Sequence, residues 1–296
     1  MRRMPLARPA RVLAALLLAL AAACAAAAEA PAAFGLVTLV DGGATLLRDD
    51  ARYAVAPGVA LQAGDILATA PQARVLVVET GDGRTLALGP DTRALLEPRL
   101  DGQTPTVYLL GGWAKLGAPP GRAAGVDAPG LSVDAGGASV VVAPAADATV
   151  VFAEAGAPRV RGRAGEPVVA LQAGQMLSWP RDAAPPRVWP RPSPAFVQAL
   201  PEALKVQLPT RYAALEARPA APRALGPIAW ADAQPWIDGE PALRAWAVHR
   251  WHALAKDPGF RRALLAGMKS HPEWQAALAA SAPRRPTAAS RAGATD

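Results

Sequence analysis

Between Leu36 and Trp179 the chain is written as short apolar runs, each stopped by a turn residue. "LVTLV", "ATLLR", "ARVLVVE", "RTLALG", "TVYLLGGW", "ASVVVAP", "ATVVFAE" and "PVVALQ" are all of strand length and rich in Val and Leu. Runs of this kind, closed by Gly, Pro or Asp, predict strands rather than helices. The expected fold over 33–180 is therefore mainly β, a sandwich or a stacked-strand, β-helix-like arrangement. Asp82-Gly83, between "RVLVV" and "TLALG", predicts a tight hairpin, and Asp101-Gly102 a second one. One phrase occurs twice, "LQAGDIL" at 61–67 and "LQAGQML" at 171–177. Its Ala-Gly pair reads as a turn, with Leu61 and Leu67 directed into the core. Gln175 in the second copy stands where the first has Asp65, so the repeat carries no shared catalytic carboxylate and reads as scaffold.

The chain then changes character twice. Over 181–227 prolines crowd in, as in "PRDAAPPRVWPRPSP", and predict an extended linker. A short helix is expected within 195–215, broken at Pro201 and Pro209. Residues 228–281 predict a small all-α module rich in tryptophan. Glu240-Pro241 and Asp257-Pro258 each place proline in a first helical turn, where its missing N–H costs nothing, and Asp257 is a natural cap. Ser270, followed three residues later by Glu273, reads as a capping box. Leu243, Trp246, Ala247, Trp251 and Leu254 share one helical face. The tail 282–296 is small and polar and is expected to be disordered.

The beginning of the chain predicts export. Arg2, Arg3, Arg8 and Arg11 precede an uncharged stretch at 12–28, and Ala26-Ala27-Ala28 offers a cleavage site before Glu29. This is the layout of a signal peptide over 1–28, and 17 uncharged residues fall short of a comfortable span. Cys24 is the one cysteine, so the processed chain has no thiol. "AAAC" is a near-match to a lipoprotein site, where Cys24 would be acylated, although Leu20 sits one place too early. The formal charge of +7 falls to +4 once residues 1–30 are removed. No basic run with interleaved aromatics remains, which argues against nucleic acid as a partner. The membrane is expected to matter only through the signal segment or a lipid on Cys24.

The stretch 35–96 resembles the periplasmic domain of FecR-type proteins. The resemblance runs through Gly35, Val37, Val40 and Gly43, then Gly58-x-x-Leu61-x-x-Gly64-Asp65-Ile66 and Thr69. It continues with Asp82-Gly83, Leu86-x-Leu88-Gly89-Pro90 and Thr92, and more weakly to residue 179. "AGGASVVV" at 135–142 departs from the family's Gly-Thr and aromatic strand. Signalling members of the family hold a sigma factor in the cytoplasm. Here eleven residues precede the apolar stretch, so the expectation is an exported variant without that segment. The resemblance implies a β-domain used for interactions in the periplasm or cell envelope, with an envelope protein or a cell-wall glycan as partner.

Candidate chemistry is sparse. His249 and His252 are spaced i, i+3 on a helix and could share a metal ion if His271 or Asp257 joined them. Both point away from the apolar face, so a solvated polar side is the simpler reading, and no metal or cofactor is expected. No Ser lies in a G-x-S-x-G elbow, and the histidines are far in sequence from Ser132 and Ser139. Asp41, Asp65, Asp82 and Asp91 lie at or near Gly or Pro, where turns favour Asp. No catalytic residues, and no enzyme, are expected. Trp230, Trp236, Trp246, Trp251 and Trp274 cluster in the helical module. Large anchors for a small core explain most of them. Trp236 and Trp274 are the two expected to be partly exposed, as candidate ligand contacts. Peptidoglycan or polysaccharide binding through these tryptophans is the first alternative, and a metal-dependent hydrolase at His249/His252 the second. Mass analysis of the protein recovered from its producing cell should show an N-terminus at Glu29; an intact Met1 terminus would remove the export reading.

Overall fold

The computed structural model describes residues 33–97, 107–162, 167–182, 184–207 and 209–281. The predicted signal segment, the Asp101-Gly102 hairpin and the tail 282–296 lie outside the described residues. Nineteen strands are present among those described. The first six are β1 (Ala33–Asp41), β2 (Ala44–Arg48), β3 (Ala51–Ala54), β4 (Ala60–Gln62), β5 (Ile66–Thr69) and β6 (Val75–Glu79). Next come β7 (Thr85–Leu88), β8 (Arg93–Leu96), β9 (Val107–Gly111), β10 (Ala114–Gly117), β11 (Gly125–Ala128), β12 (Leu131–Asp134) and β13 (Ser139–Pro144). The last are β14 (Ala148–Ala155), β15 (Arg159–Gly162), β16 (Val169–Ala170), β17 (Met176–Pro180), β18 (Arg187–Trp189) and β19 (Arg223–Pro227).

They form two sheets. One is nine-stranded, in the order β18-β17-β14-β13-β10-β7-β6-β1-β4; the other is ten-stranded, β16-β15-β12-β11-β9-β8-β5-β2-β3-β19. Chain order runs almost monotonically along both sheets, because the chain lays down one or two strands and then crosses to the other sheet. The expected sandwich and the expected stacked-strand form are thus one object. Pairs such as β6–β7 and β13–β14 are antiparallel, β9 and β11 run parallel with Val107 facing Val126, and an isolated parallel bridge joins Val59 to Ala220. The space between the sheets is filled by the inward set of each strand, including Leu46, Leu61, Leu67, Leu76, Leu88, Val140 and Leu177.

The repeated phrase is a repeated crossing between sheets. "LQAGDIL" carries the chain from β4 to β5, and "LQAGQML" from β16 to β17. Gly64 and Gly174 take φ of 84° and 86°, a region open to glycine at little cost. In each copy the residue after that glycine accepts a hydrogen bond from the Gln backbone N–H three residues earlier. Gln62 N lies 2.8 Å from Asp65 Oδ2, and Gln172 N 2.8 Å from Gln175 Oε1. Leu61, Leu67, Leu171 and Leu177 are all buried. Asp65 has one further task. Arg48 Nε and Nη2 reach its two carboxylate oxygens at 2.8 and 2.6 Å, and Arg48 Nη2 also donates to Ala60 O.

The hairpin expected at Asp82-Gly83 is present between β6 and β7, and only Gly83 takes positive φ. Asp82 binds the Thr80 hydroxyl and the Arg84 guanidinium. These partners, the Thr80 bond foremost, hold its pKa down at about 2. A depressed carboxyl contributes stability above its unfolded pKa, and the contribution fades as pH falls through the folded value. The hairpin therefore keeps this support throughout the neutral and mildly acid range.

Several strands are apolar on both faces, which a free-standing sandwich could not tolerate. All of β6 is buried, and β8 and β9 each bury three consecutive residues. Their outward sets are covered by the C-terminal third of the chain. Leu47, Ile66, Leu95 and Tyr108 pack beneath the helices, in one core with Trp236, Leu243, Trp251 and Trp274. Val75, Val77, Ala87 and Met176, on the outer face of the nine-stranded sheet, pack with Phe196, Leu200 and Leu204. By contrast β11, β12 and β15 alternate buried and open residues, in keeping with an outer face that no helix covers. The helices are accordingly a layer of the same body rather than a module at the end of a linker.

Removing the Asp65 carboxylate strands a mostly buried guanidinium, whereas removing the Gln175 amide frees a turn at the surface. Asp65→Ala should therefore cost about 3 kcal/mol in denaturant melts, and Gln175→Ala about 1 kcal/mol or less. Equal losses would show that the two crossings are not distinguished by the Arg48 pair.

Candidate functional site

The Pro-rich stretch expected to be a linker is a strap over the nine-stranded sheet. Three short helices form in it: α1 (Pro194–Ala199), α2 (Glu202–Lys205) and α3 (Tyr212–Glu216). Ser193 caps α1, its Oγ accepting from Phe196 N at 3.1 Å, and Pro194 occupies the first turn. Phe196 and Leu200 are i, i+4, so one side of this turn is apolar and docks. The Phe196 ring lies 5.8 Å from Trp113 and 5.7 Å from Phe152, centroid to centroid. Pro201 and Pro209 break the helix, as expected. Beyond α3 the chain reaches β19, which pairs with β3 at the far edge of the ten-stranded sheet. Gly58 makes that route possible: a Cβ there would lie 2.8 Å from Arg218 O.

Two buried or half-buried charges pin the strap. Lys115 Nζ, from β10, donates to Leu204 O at 3.1 Å and Val206 O at 3.4 Å, at the end of α2. Its third partner is Glu154 Oε1 at 2.8 Å, and Ser139 Oγ donates to Glu154 Oε2 at 2.6 Å. Glu79, 3% exposed on β6, accepts from Arg211 N and Tyr212 N at the start of α3. A cation thus meets the carbonyl end of one helix and an anion the N–H end of the next, as helix dipoles favour. A cavity of about 510 Å³ lies between, lined by Thr85, Lys115, Ser139, Glu154, Gln207 and Thr210 among others. The Ser139–Glu154–Lys115 set holds the strap. Both Glu154 oxygens are occupied, one by the Lys115 ammonium and one by the Ser139 hydroxyl.

On the other side of α1 the strap leaves an apolar groove of about 560 Å³. Trp113, Pro144, Val150, Met176, Trp189 and Phe196 line it, with the hydroxyls of Ser178 and Ser193. Trp189 is 37% exposed and Val188 44% exposed, both on β18, the end strand of the nine-stranded sheet. Pro185, Pro186 and Pro190 flank this strand, leaving few backbone donors on the open edge. That edge offers little to an added strand, and the accessible apolar surface beside it is the groove with its aromatic wall.

The sequence-derived candidates lie elsewhere, among α4 (Trp230–Ile237), α5 (Pro241–Trp251), α6 (Pro258–Ala266) and α7 (Gln275–Ala280). Trp236 and Trp274, expected to be partly exposed, are fully buried. Trp236 packs against Tyr108 of β9 and Trp246, at centroid distances of 6.5 and 6.1 Å, and Trp274 against Phe260 at 6.0 Å. The expectation fails because the helices have no surface of their own on that side; the sheet takes it. His249 and His252 are exposed, and the nearest bond is His252 Nδ1 to His249 O at 3.0 Å. His271 is buried apart from them, its Nε2 2.9 Å from Asp238 Oδ1 and its Nδ1 3.6 Å from Glu273 Oε1. The Ser270 capping box does not form. A 3₁₀ turn starts at Pro272 instead, and the preceding His271 ring turns inward. Asp257 does cap α6, accepting from Phe260 N at 2.8 Å. No group of three or more His, Cys, Asp or Glu among the described residues is placed to hold a metal ion.

Trp189, Trp113 and Phe196 were missed as a set because proline density over 181–227 masked Ser193-Pro194, a cap and first-turn pair that marks a helix start.

No family model matches the chain. No curated protein matches it. Two crystal structures of a protein from Parabacteroides distasonis, described as a candidate anti-sigma factor, are similar at a TM-score of 0.37, with 17% and 16% identity. The alignments cover 43% of this chain and 59% of that one, so the chain spans little more than half the length of those structures. At that score the likeness carries neither fold nor activity from one protein to the other.

Lys115→Met would leave the Leu204 and Val206 carbonyls and Glu154 without their cation. A loss of about 1–3 kcal/mol is expected, with proteolysis starting between residues 203 and 211. A variant as resistant as the parent would show that apolar packing alone holds the strap.

Proposed function

We propose that this is an exported protein of the FecR-like kind that works in the cell envelope as a binding or scaffolding component, without catalysis. The observation that carries this reading is the apolar groove beside β18, with Trp189 left open along it. An extended apolar segment of an envelope protein fits the groove: side chains would insert between Trp113, Phe196 and Trp189, and the two serines would meet its backbone. Export is supported by the charge and apolar pattern of residues 1–28. The glycan reading placed on Trp236 and Trp274 loses its contact residues, since both rings are enclosed.

A photo-crosslinker at Ala199, a groove position on α1, should capture one defined protein in cells. Trp189→Ala should weaken that complex tenfold or more, the usual cost of truncating a central aromatic anchor at roughly 2 kcal/mol, and Ala195→Glu should abolish it. Capture that ignores both substitutions, or that follows equally from a crosslinker on β12, would sink the groove as the binding site.

A further inference from the structure

Beyond residue 30, the net positive charge of the chain sits in one short part of it. Between Arg244 and Lys269 there are six Lys or Arg and one acidic residue, whereas residues 31–243 hold 18 basic and 20 acidic ones. This part forms α5, a 3₁₀ turn over His252–Lys256, and α6, on the outside of the ten-stranded sheet. The apolar sides of both helices face inward, through Leu243, Ala247 and Trp251 on α5 and Phe260 and Leu264 on α6. What remains outward is ordered in stripes. Ala245, His249, His252 and Lys256 are exposed along α5 and its extension, Arg262 and Leu265 at i and i+3 on α6, and Lys269 in the turn that follows α6.

Lys256, Arg262 and Lys269 form no ion pair among the described residues, whereas Arg244 and Arg261 are occupied by the carbonyls of Ser270 and Leu278. The one carboxylate of the stretch, Asp257, is committed to the Phe260 N–H. Glu273 is turned toward His271. In the middle of the cationic stripe Leu265 is 52% exposed. An unpaired basic face with an apolar side chain at its centre matches the interface of an anionic bilayer, where phosphates meet the cations and an aliphatic chain enters below them. No described helix is long and apolar enough to span, so the contact is peripheral.

We infer that the α5–α6 face is a docking surface for an anionic lipid bilayer. This goes beyond the groove and does not depend on it. The test uses the chain from Glu29 onward, which omits the apolar leader and keeps the compact unit Phe34–Asp296 whole. Co-sedimentation is measured with vesicles of phosphatidylcholine alone and with about one-third phosphatidylglycerol. Binding to the anionic vesicles alone is expected, falling as salt rises. Arg262→Gln with Lys269→Gln should weaken it by roughly twenty-fivefold, about fivefold per cation removed. Leu265→Ser should weaken it while leaving the salt dependence in place, and Trp189→Ala should leave it unchanged. Equal binding to neutral vesicles, no effect of the double variant, or retention on soluble polyphosphate without any on vesicles would each overturn the inference. A vesicle result that stands while Ala199 crosslinking fails would separate this surface from the groove.

Discussion

Strands that are apolar on both faces are the constraint from which the rest of this structure follows. Val75, Leu76, Val77 and Val78 succeed one another in β6, so two of them enter the inter-sheet core and two face outward. Leaving such an outer face in water would forfeit about 25 cal/mol for each Å² of apolar surface. The sandwich therefore needs covers, and the chain supplies them itself. Phe196, Leu200 and Leu204 close one side, and Trp236, Trp251 and Trp274 with their helices close the other. Where no helix lies over the sheet, at β12 and β15, the strands revert to strict alternation.

That arrangement explains how the ionisable interior is used. Asp65 and Arg48 fix a crossing between sheets, while Glu79 and Lys115 fix the strap. Arg48, Glu79 and Lys115 sit on strands but bind loops or helix ends, so their charge serves chain path. Such pairs are costly to break and stabilise little when compared with apolar packing, but they specify one route among several. A strap crossing a flat apolar face could slide; carbonyls held by Lys115 at one end and N–H groups held by Glu79 at the other set its register.

Much of the β-domain was legible because its signals are local. A run such as "RVLVVE" closed by "TGDGRT" contains its own strand, turn and partner, and the glycines of the two "LQAG" phrases mark crossings with matching backbone angles. Pro241 and Asp257-Pro258 marked helix starts for the same reason. What could not be read was where non-local surfaces meet. The two-faced pattern of β6 and β8 says that something must cover them and does not say what. The burial of Trp236 was not legible because its partner, Tyr108, lies 128 residues earlier on another element. The strap was hidden by the same logic, its prolines suggesting extension while Phe196 and Leu200 needed a distant sheet to define them.

The two surfaces left uncommitted are then of different kinds and on opposite sides. The groove of Trp113, Trp189 and Phe196 opens on the outer face of the nine-stranded sheet, whereas Arg262, Leu265 and Lys269 lie outside the ten-stranded one. The sandwich between them is rigid and close-packed, so neither surface can fold over the other. A body of this shape held to a membrane by its basic helices would present the apolar groove away from the bilayer. Charge would set where the protein sits, and the aromatic wall would set what it holds. The division follows from the covers: each sheet face needed apolar residues inward, and the outward side of each cover was left free to take a different chemistry.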